Sequence, residues 1–268
     1  MRPKQNASPR RTALVTGGSG GIGLEIAKEL ARKGFDLALV ARKRDTLEAA
    51  AGQLEGKFDI KAHVFAADLR RADAPDQIFD FLHNENVPIE VLVNNAGFGL
   101  TGEFSETELQ RELEMIQVNI GALTHMTKLF LPPMVKNRAG RVLNVASVAA
   151  FQPGPLMAVY YATKAYVLSF SQALAEELRN TGVTVTALCP GPTQTDFAEA
   201  AQMTTSRLFT TFGVADADDV ARYAVAAMLR GKRLAIPGIR NKVLAQANRI
   251  APRALSAKLA RLAQETRA

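Results

Sequence analysis

Short runs of apolar residues alternate along the chain with longer segments in which apolar residues recur every three or four positions. The short runs predict buried strands at 12–16, 37–41, 62–66, 89–93, 141–146, 183–188 and 234–236. The longer segments predict helices at 24–33, 45–54, 73–84, 108–136 and 156–179, the fourth ending near Pro132 and Pro133. Strands that alternate with helices are typical of right-handed βαβ units, so the pattern predicts an α/β fold with a parallel sheet.

A glycine-rich loop follows the first predicted strand and leads into a helix. Its spacing is Gly-x-x-x-Gly-x-Gly, formed by Gly17, Gly21 and Gly23, with Ser19, Gly20 and Ile22 between them. Glycines let a backbone turn sharply and approach a pyrophosphate, whose negative charge is favoured at a helix N-terminus. Such a loop could also be a simple tight turn. The strand before it and the helix after it favour a nucleotide site.

The residue after the second predicted strand indicates which dinucleotide would bind. A site that prefers NAD usually has an acidic residue there, about 20 residues beyond the loop, to hold the ribose 2′-hydroxyl. This chain has Arg42, and neither Asp36 nor Asp45 is well placed to replace the acid. A guanidinium can hold a 2′-phosphate through two charge-assisted hydrogen bonds. NADP(H) is therefore the expected cofactor, and a solvated basic turn is the alternative.

Polar motifs also follow the third and fourth predicted strands. Asp68 stands just beyond residues 62–66, and residues 94–97 form an Asn-Asn-Ala-Gly motif at the end of the fourth strand. Ligands of open parallel sheets bind at the carboxyl ends of the strands. The glycine loop, Arg42, Asp68 and the 94–97 motif should therefore converge on one crevice.

A candidate catalytic group lies between Ser147 and Lys164. Tyr160 and Lys164 are four residues apart, which places them on one face of the predicted helix. A neighbouring ammonium should lower the pKa of the phenol, so that Tyr160 exchanges a proton near neutral pH. Ser147 would donate a hydrogen bond to the oxygen being protonated. A Tyr-x-x-x-Lys pair alone is more often an ordinary feature of a helix surface, and Tyr161 is expected to pack.

Composition and charge exclude several classes of protein. The chain is 47% hydrophobic and 22% charged, as expected of a soluble globular protein. The single Cys189 excludes an internal disulfide, and three scattered histidines predict no metal site. The net charge is +7, but residues 1–11 and 240–268 together carry +10, which leaves −3 for the body. Nucleic-acid binding is therefore not expected, and without an apolar leader or span the expected location is the cytoplasm.

Taken together, these motifs make the chain resemble the short-chain dehydrogenase/reductase family over about residues 12–238. The likeness is greatest to the bacterial NADP-dependent members of that family. The motifs that match, in the same order, are Thr16-Gly17-x-x-x-Gly21-Ile22-Gly23, Asp68, Asn94-Asn95-Ala96-Gly97, Asn119, Ser147, Tyr160-x-x-x-Lys164 and Pro190-Gly191. The resemblance implies a single Rossmann-type, doubly wound domain whose central parallel sheet has about seven strands flanked by helices. It also implies a homodimer or homotetramer.

The resemblance further implies roles for individual residues. Tyr160 would be the proton donor, Ser147 would orient the carbonyl, Lys164 would lower the pKa of the phenol and bind the nicotinamide ribose, and Asn119 would hold a proton-relay water. The implied cofactor contacts are the loop residues above and Arg42, Asp68, Leu69, Asn95, Ala96, Gly97, Pro190, Gly191, Thr193 and Thr195.

The two ends of the chain lie outside this resemblance. Residues 1–11 are expected to be a flexible basic tail, and residues 239–268 a basic amphipathic helical extension. Val243, Leu244, Ala247 and Ile250 share one helical face, and Leu255, Leu259 and Leu262 share another. Basic amphipathic helices can lie on anionic membranes, but packing against the protein or a second subunit is the favoured interpretation.

The expected function is NADP(H)-dependent hydride transfer between nicotinamide and a carbonyl or secondary alcohol. The substrate pocket should lie between residues 99–103, residues 149–158 and a lid at residues 195–212, with Phe98, Phe151, Leu156, Met157 and Phe197 as candidate lining residues. An apolar lining suggests a hydrophobic ketone, an aldehyde or a 3-oxoacyl group. The alternatives are a non-catalytic NADP-binding sensor of the same fold and a membrane-surface reductase of lipid-like ketones.

Overall fold

The computed structural model describes residues 11–195, 197, 214–250 and 253–264. Its seven strands are β1 (Thr12–Thr16), β2 (Asp36–Ala41), β3 (Ala62–Ala66), β4 (Ile89–Asn94), β5 (Gly140–Val145), β6 (Val183–Leu188) and β7 (Leu234–Ala235). They form one parallel sheet in the order β3-β2-β1-β4-β5-β6-β7. The predicted α/β fold class and the seven-stranded parallel sheet are confirmed.

The order of the strands reverses between β1 and β4. The chain runs outward from β1 through β2 to β3, and then returns to the other side of β1 to add β4 to β7. The connections that follow β1 and β4 run to opposite sides, so a crevice opens between them at the carboxyl ends of these two strands. Every predicted strand-end motif therefore reaches the same edge of the sheet.

Helices cover both faces of the sheet. They are α1 (Gly21–Arg32), α2 (Arg44–Lys57), α3 (Ala74–Asn84), α4 (Leu109–Ile116), α5 (Leu123–Lys136), α6 (Ala158–Glu177), α7 (Ala217–Leu229), α8 (Ile239–Ile250) and α9 (Arg253–Gln264). Successive residues of β1 point to opposite faces. Val15 packs with Ile26 of α1 and Val225 of α7, whereas Leu14 packs with Ile78 of α3 and other residues of the second face.

The predicted helix over residues 108–136 is interrupted. A π-helical segment, Gln117–Ala122, separates α4 from α5 and contains Asn119. As predicted, the helical stretch ends near Pro132 and Pro133, at Lys136. These prolines lack backbone N–H donors, but the Asn137 N–H still bonds to the Pro133 carbonyl and closes the last turn.

The chain after β7 forms the helices α8 and α9. Among their described side chains, Ala245, Ser256 and Ala260 are buried, whereas Val243 and Leu244 are exposed. Two members of the predicted apolar face of α8 are thus exposed on the single chain, and packing against a second subunit stays a prediction. Three parts of the predictions lie outside the described part of the chain. They are the tail at 1–10, the side chains of Ile250 and Leu255, and the predicted lid except for Thr195 and Phe197.

Candidate active site

A cavity of about 900 Å³ opens at the carboxyl edge of the sheet, at the point where the strand order reverses. Residues from both halves of the sheet line it, and so do residues of α8 and α9. Of the predicted site residues, those that line it are Gly17, Ser19, Gly20, Gly21, Ile22, Arg42, Asp68, Leu69, Asn95, Ala96, Gly97, Ser147, Tyr160, Lys164, Pro190, Gly191, Thr193 and Thr195. Gly23 and Asn119 are not lining residues, because both are packed behind the surface.

The glycine loop leaves room for a phosphate group at the start of α1. Gly17 and Gly21 have φ values of 67° and 53°, which favour glycine. A Cβ at Gly20 would meet no described heavy atom within 4 Å, whereas one at Gly23 would lie 2.2 Å from the Gly17 carbonyl oxygen. Gly20 thus faces the open cavity, and Gly23 lets α1 approach the loop closely. This cradle at a helix N-terminus fits a pyrophosphate.

Thr16 and Asn95 join the ends of β1 and β4 beside this loop. The Thr16 hydroxyl accepts hydrogen bonds from the backbone N–H groups of Asn95 and Ala96, at 3.0 and 3.1 Å. The Asn95 side-chain amide donates to the Thr16 carbonyl at 2.9 Å. The two strand ends therefore form a rigid floor under the middle of the cavity.

The end of the cavity beyond β2 carries a concentration of positive charge. Arg42, Lys43 and Arg70 line it together with Asp68. Arg70 makes a two-pronged contact with the Asp68 carboxylate, Nε to Oδ1 at 3.0 Å and Nη2 to Oδ2 at 2.5 Å, which lowers the pKa of Asp68. Asp68 is thus ionised and paired with Arg70, which also forms an ion pair with Glu114 at 3.3 Å. Arg42 and Lys43 therefore supply the positive charge that favours an anionic group at this end.

Ser147, Tyr160 and Lys164 form a buried group where β5 meets α6. The Ser147 hydroxyl accepts a hydrogen bond from the Ala149 N–H at 3.1 Å and also bonds to Tyr160. The Lys164 Nζ lies 5.7 Å from the centroid of the Tyr160 ring and donates to the Val145 carbonyl at 2.9 Å. The three polar groups thus share one wall of the cavity.

The expected lowering of the Tyr160 pKa is wrong for this structure. Burial raises the pKa of Tyr160 far above its ordinary value of 10.0, because the phenolate loses its solvent, and the Ser147 hydrogen bond offsets only part of that effect. Burial also lowers the pKa of Lys164 from 10.5 to about 8. Tyr160 therefore keeps its proton at neutral pH, and the charge on Lys164 depends on pH just above that range.

Asn119 lies next to this group without lining the cavity. Its amide donates to the Phe98 carbonyl and the Thr163 hydroxyl, both at 3.0 Å, and its oxygen accepts from the Phe98 N–H at 3.1 Å. Both side-chain N–H groups therefore have protein partners. A Cβ at Gly97 would lie 2.9 Å from the Asn119 oxygen and 3.4 Å from the Lys164 Nζ. Asn119 thus holds the loop after β4 against α6, and π-helical turns of this kind are frequent at functional sites.

The cavity wall on the far side of Tyr160 is mainly apolar. Phe98, Met157 and Phe197 line it as predicted, and Tyr161 lines it although packing alone was expected. A Cβ at Gly99 would lie 3.0 Å from both Met157 and Phe197, so this glycine allows the wall to close. The prediction for the other two candidates is wrong: Phe151 packs among the core residues around β6 and Ile236, and Leu156 is not a lining residue.

Sequence reasoning missed the part of the cavity wall that α8 and α9 supply. The missed residues there are Arg240, Asn241, Leu244, Ala245, Asn248, Leu259 and Ala260. On the body, the missed polar residues are Lys43, Thr46, Arg70 and Arg111. Asn248 donates to Gln152 at 2.6 Å across 96 residues of sequence. No local pattern signals such a contact, although the amphipathic spacing in residues 239–264 does indicate that one face is covered.

No described helix is long and apolar enough to cross a bilayer. In the same part of the chain, His, Cys, Asp and Glu residues form no group of three that could hold a metal ion.

Comparisons with known proteins agree on one family. The family model for short chain dehydrogenases matches residues 11–206. The chain is 38% identical over 184 residues to the very-long-chain 3-oxoacyl-CoA reductase of Bos taurus, a match that covers 66% of this chain and 58% of that protein. It is 34% identical over 207 residues to an uncharacterized oxidoreductase of Staphylococcus epidermidis, covering 77% and 88%.

Solved structures extend the likeness to nearly the whole fold. A short-chain dehydrogenase from Sphingobium yanoikuyae in complex with NADPH superposes with a TM-score of 0.80 at 32% identity, covering 89% of this chain and 94% of that chain. The very-long-chain 3-oxoacyl-CoA reductases are longer, and the chain spans little more than half of their length.

Proposed function

Because the chain belongs to the short-chain dehydrogenase family, we propose that it is an NADPH-dependent carbonyl reductase, or an alcohol dehydrogenase in the reverse direction. The observation that carries the proposal is the buried group of Ser147, Tyr160 and Lys164, which lies between the glycine cradle and the apolar wall of one cavity. A carbonyl held there would face a proton donor on one side and the dinucleotide site on the other.

Arg42 supports the choice of NADPH over NADH. It lines the cavity with Lys43 and Arg70, and β2 ends without an acidic residue in the position that binds a ribose 2′-hydroxyl. The carboxylate of Asp68 is paired with Arg70. The local charge thus favours a 2′-phosphate, and the related structure from Sphingobium yanoikuyae holds NADPH.

The residues of the chain would orient the carbonyl and deliver a proton. When bound, NADPH supplies a hydride to the carbonyl carbon. Ser147 donates a hydrogen bond to the carbonyl oxygen, and Tyr160 protonates that oxygen as it becomes an alkoxide. A phenol whose pKa is raised is fully protonated at neutral pH, yet it remains a much stronger acid than an alcohol, so the transfer runs downhill.

Lys164 and Asn119 would restore the site after each turnover. The Lys164 ammonium, anchored on the Val145 carbonyl, stabilises the phenolate that Tyr160 leaves behind and binds the nicotinamide ribose. Both N–H groups of the Asn119 side chain are occupied. A proton-relay water at Asn119 would therefore bind chiefly to the backbone of the π-helical segment, which the side chain holds in place.

The apolar wall suggests a hydrophobic ketone, an aldehyde or a 3-oxoacyl group as the substrate. Phe98, Met157, Tyr161 and Phe197 offer aromatic and thioether surface beside Tyr160. A relative that is named a 3-oxoacyl-CoA reductase adds weight to the last of these classes.

We further infer that the protein is cytoplasmic and forms a homodimer or homotetramer. Light scattering would give the mass of the oligomer.

The test is NADPH oxidation against a panel of aldehydes, ketones, diketones and 3-oxoacyl thioesters, with NADH as the comparison. We expect turnover with NADPH for at least one apolar class and much weaker turnover with NADH. Tight NADPH binding with no turnover of any class would count against the reductase and favour a sensing role.

A further inference from the structure

The two C-terminal helices are attached to the catalytic body beside the cavity. Asn248 of α8 bonds to Gln152, which follows the loop after Ser147. Arg261 of α9 forms a 2.7 Å ion pair with Glu103, in the loop that follows β4. Ala245 and Ala260 are buried, and Ala245 packs in the core cluster that includes Leu123 and Val167. The helices therefore have a defined inner side.

The side of α8 that faces away from the body carries exposed apolar residues. Ala245 is buried and Asn241 is half-buried, which marks the inner side of the helix. Ile239 and Val243, one turn apart on the opposite side, are 78% and 61% exposed. On α9, Leu259 and Leu262 are 56% and 52% exposed. We name these four residues the C-terminal face. Exposed large apolar side chains that are concentrated in one segment of a chain often mark an interaction surface.

The charge around the C-terminal face selects the kind of partner. Residues 239–264 include six Lys or Arg and no Asp or Glu. Lys242 and Lys258 are exposed, and the Lys242 ammonium lies 5.9 Å from the centre of the Tyr223 ring of α7. Two copies of this segment placed face to face would bring like charges together, which costs free energy. An anionic lipid surface offers both an apolar layer and opposite charge, which attracts basic residues near it.

We propose that the C-terminal face binds to an anionic lipid surface. Leu244 and Leu259 line the cavity and are also 44% and 56% exposed, so the face borders the mouth of the cavity. On a bilayer, this mouth would open toward the lipid, and apolar ketones dissolved there would enter directly. The binding stands by itself, whereas the route for ketones rests on the proposed function.

Vesicle flotation of the full chain tests the binding. We expect the protein to float with vesicles that contain phosphatidylglycerol, to float far less with pure phosphatidylcholine, and to be released at high salt. The triple variant Ile239→Gln/Val243→Gln/Leu262→Gln changes exposed residues that do not line the cavity, and we expect it to bind roughly tenfold more weakly or worse. The matched control is Leu109→Gln/Leu113→Gln on α4, whose leucines are 68% and 49% exposed.

Two results would overturn the proposal. One is equal flotation of the triple variant and the wild-type chain. The other is no flotation of the wild type. If the triple variant then also sediments as a smaller species, the C-terminal face would be assigned to a second copy. NADPH binding and thermal unfolding, unchanged in all variants, exclude a folding defect. Flotation needs no turnover. A wild-type chain that floats but reduces no carbonyl compound would therefore count against the proposed reductase and not against lipid binding.

Discussion

The Lys164 ammonium nitrogen lies 5.7 Å from the centre of the Tyr160 ring, yet its 2.9 Å hydrogen bond goes to the Val145 carbonyl. Lys164 is thereby fixed to the sheet rather than to the phenol. Both side chains are buried, so each is disfavoured in its charged form. The pair therefore starts as a neutral phenol beside an ammonium whose proton is weakly held, which suits proton donation to a substrate.

Replacement of the proton donor should abolish turnover but not cofactor binding. We expect Tyr160→Phe to lower kcat by about 10²- to 10⁴-fold, the usual contribution of a positioned general acid. NADPH affinity, measured by fluorescence titration, should change little. Tyr161→Phe is the matched control, because it removes a neighbouring hydroxyl from the same helix. Comparable loss in both variants, or in neither, would contradict the role of Tyr160.

The rate of carbonyl reduction should depend on the charge of Lys164. Its pKa is lowered to about 8, so it is charged below that pH and neutral above it. The pKa of Tyr160 is raised, so the phenol does not titrate in this range. We therefore expect kcat/KM for reduction to fall as the pH rises through about 8. In Lys164→Arg the guanidinium stays charged, and the fall should vanish even if the overall rate is lower. If the pH profile of Lys164→Arg matched that of the wild type, the titration of Lys164 would not be the cause of the fall.

Reversal of the charge at the end of β2 should weaken NADPH selectively. Charge-assisted hydrogen bonds contribute roughly 1.5 to 3 kcal/mol each, so we expect Arg42→Asp to raise the Kd for NADPH by about 10- to 100-fold or more. The Kd for NADH should change little. Arg44→Asp is the control, because Arg44 pairs with Glu48 on the surface of α2. Equal effects on both cofactors would mean that the 2′-phosphate binds elsewhere.

The two glycines at the start of α1 should respond differently to a methyl group. Gly23→Ala would place a Cβ 2.2 Å from the Gly17 carbonyl oxygen, so α1 or the loop must shift. We expect a loss of about 1 to 3 kcal/mol in the free energy of unfolding, as for other overpacked sites. Gly20→Ala meets no described atom within 4 Å and should unfold nearly as the wild type does. Thermal and urea unfolding would show the difference, and equal stabilities would contradict the observed packing.

The strands were predictable because strands buried on both faces appear as continuous apolar runs. The same reasoning failed within residues 108–136, since a π-helical segment of six residues hardly disturbs helical periodicity. The local sign of the π-helical segment was Asn119, a polar residue in the middle of a predicted helix. Spacing also placed Lys164 near Tyr160, but the pKa of each depends on burial, which spacing does not report. The contact between Gln152 and Asn248 depends on tertiary structure alone.

Isotope transfer tests the central claim most directly. The wild-type chain would be given NADPH with deuterium at C4 of the nicotinamide and the panel of apolar carbonyl compounds, with Tyr160→Phe alongside. We expect an alcohol that carries deuterium on its carbinol carbon in the wild-type reaction, and almost none with Tyr160→Phe. A wild-type chain that binds NADPH but yields no labelled alcohol from any carbonyl class would contradict the central claim.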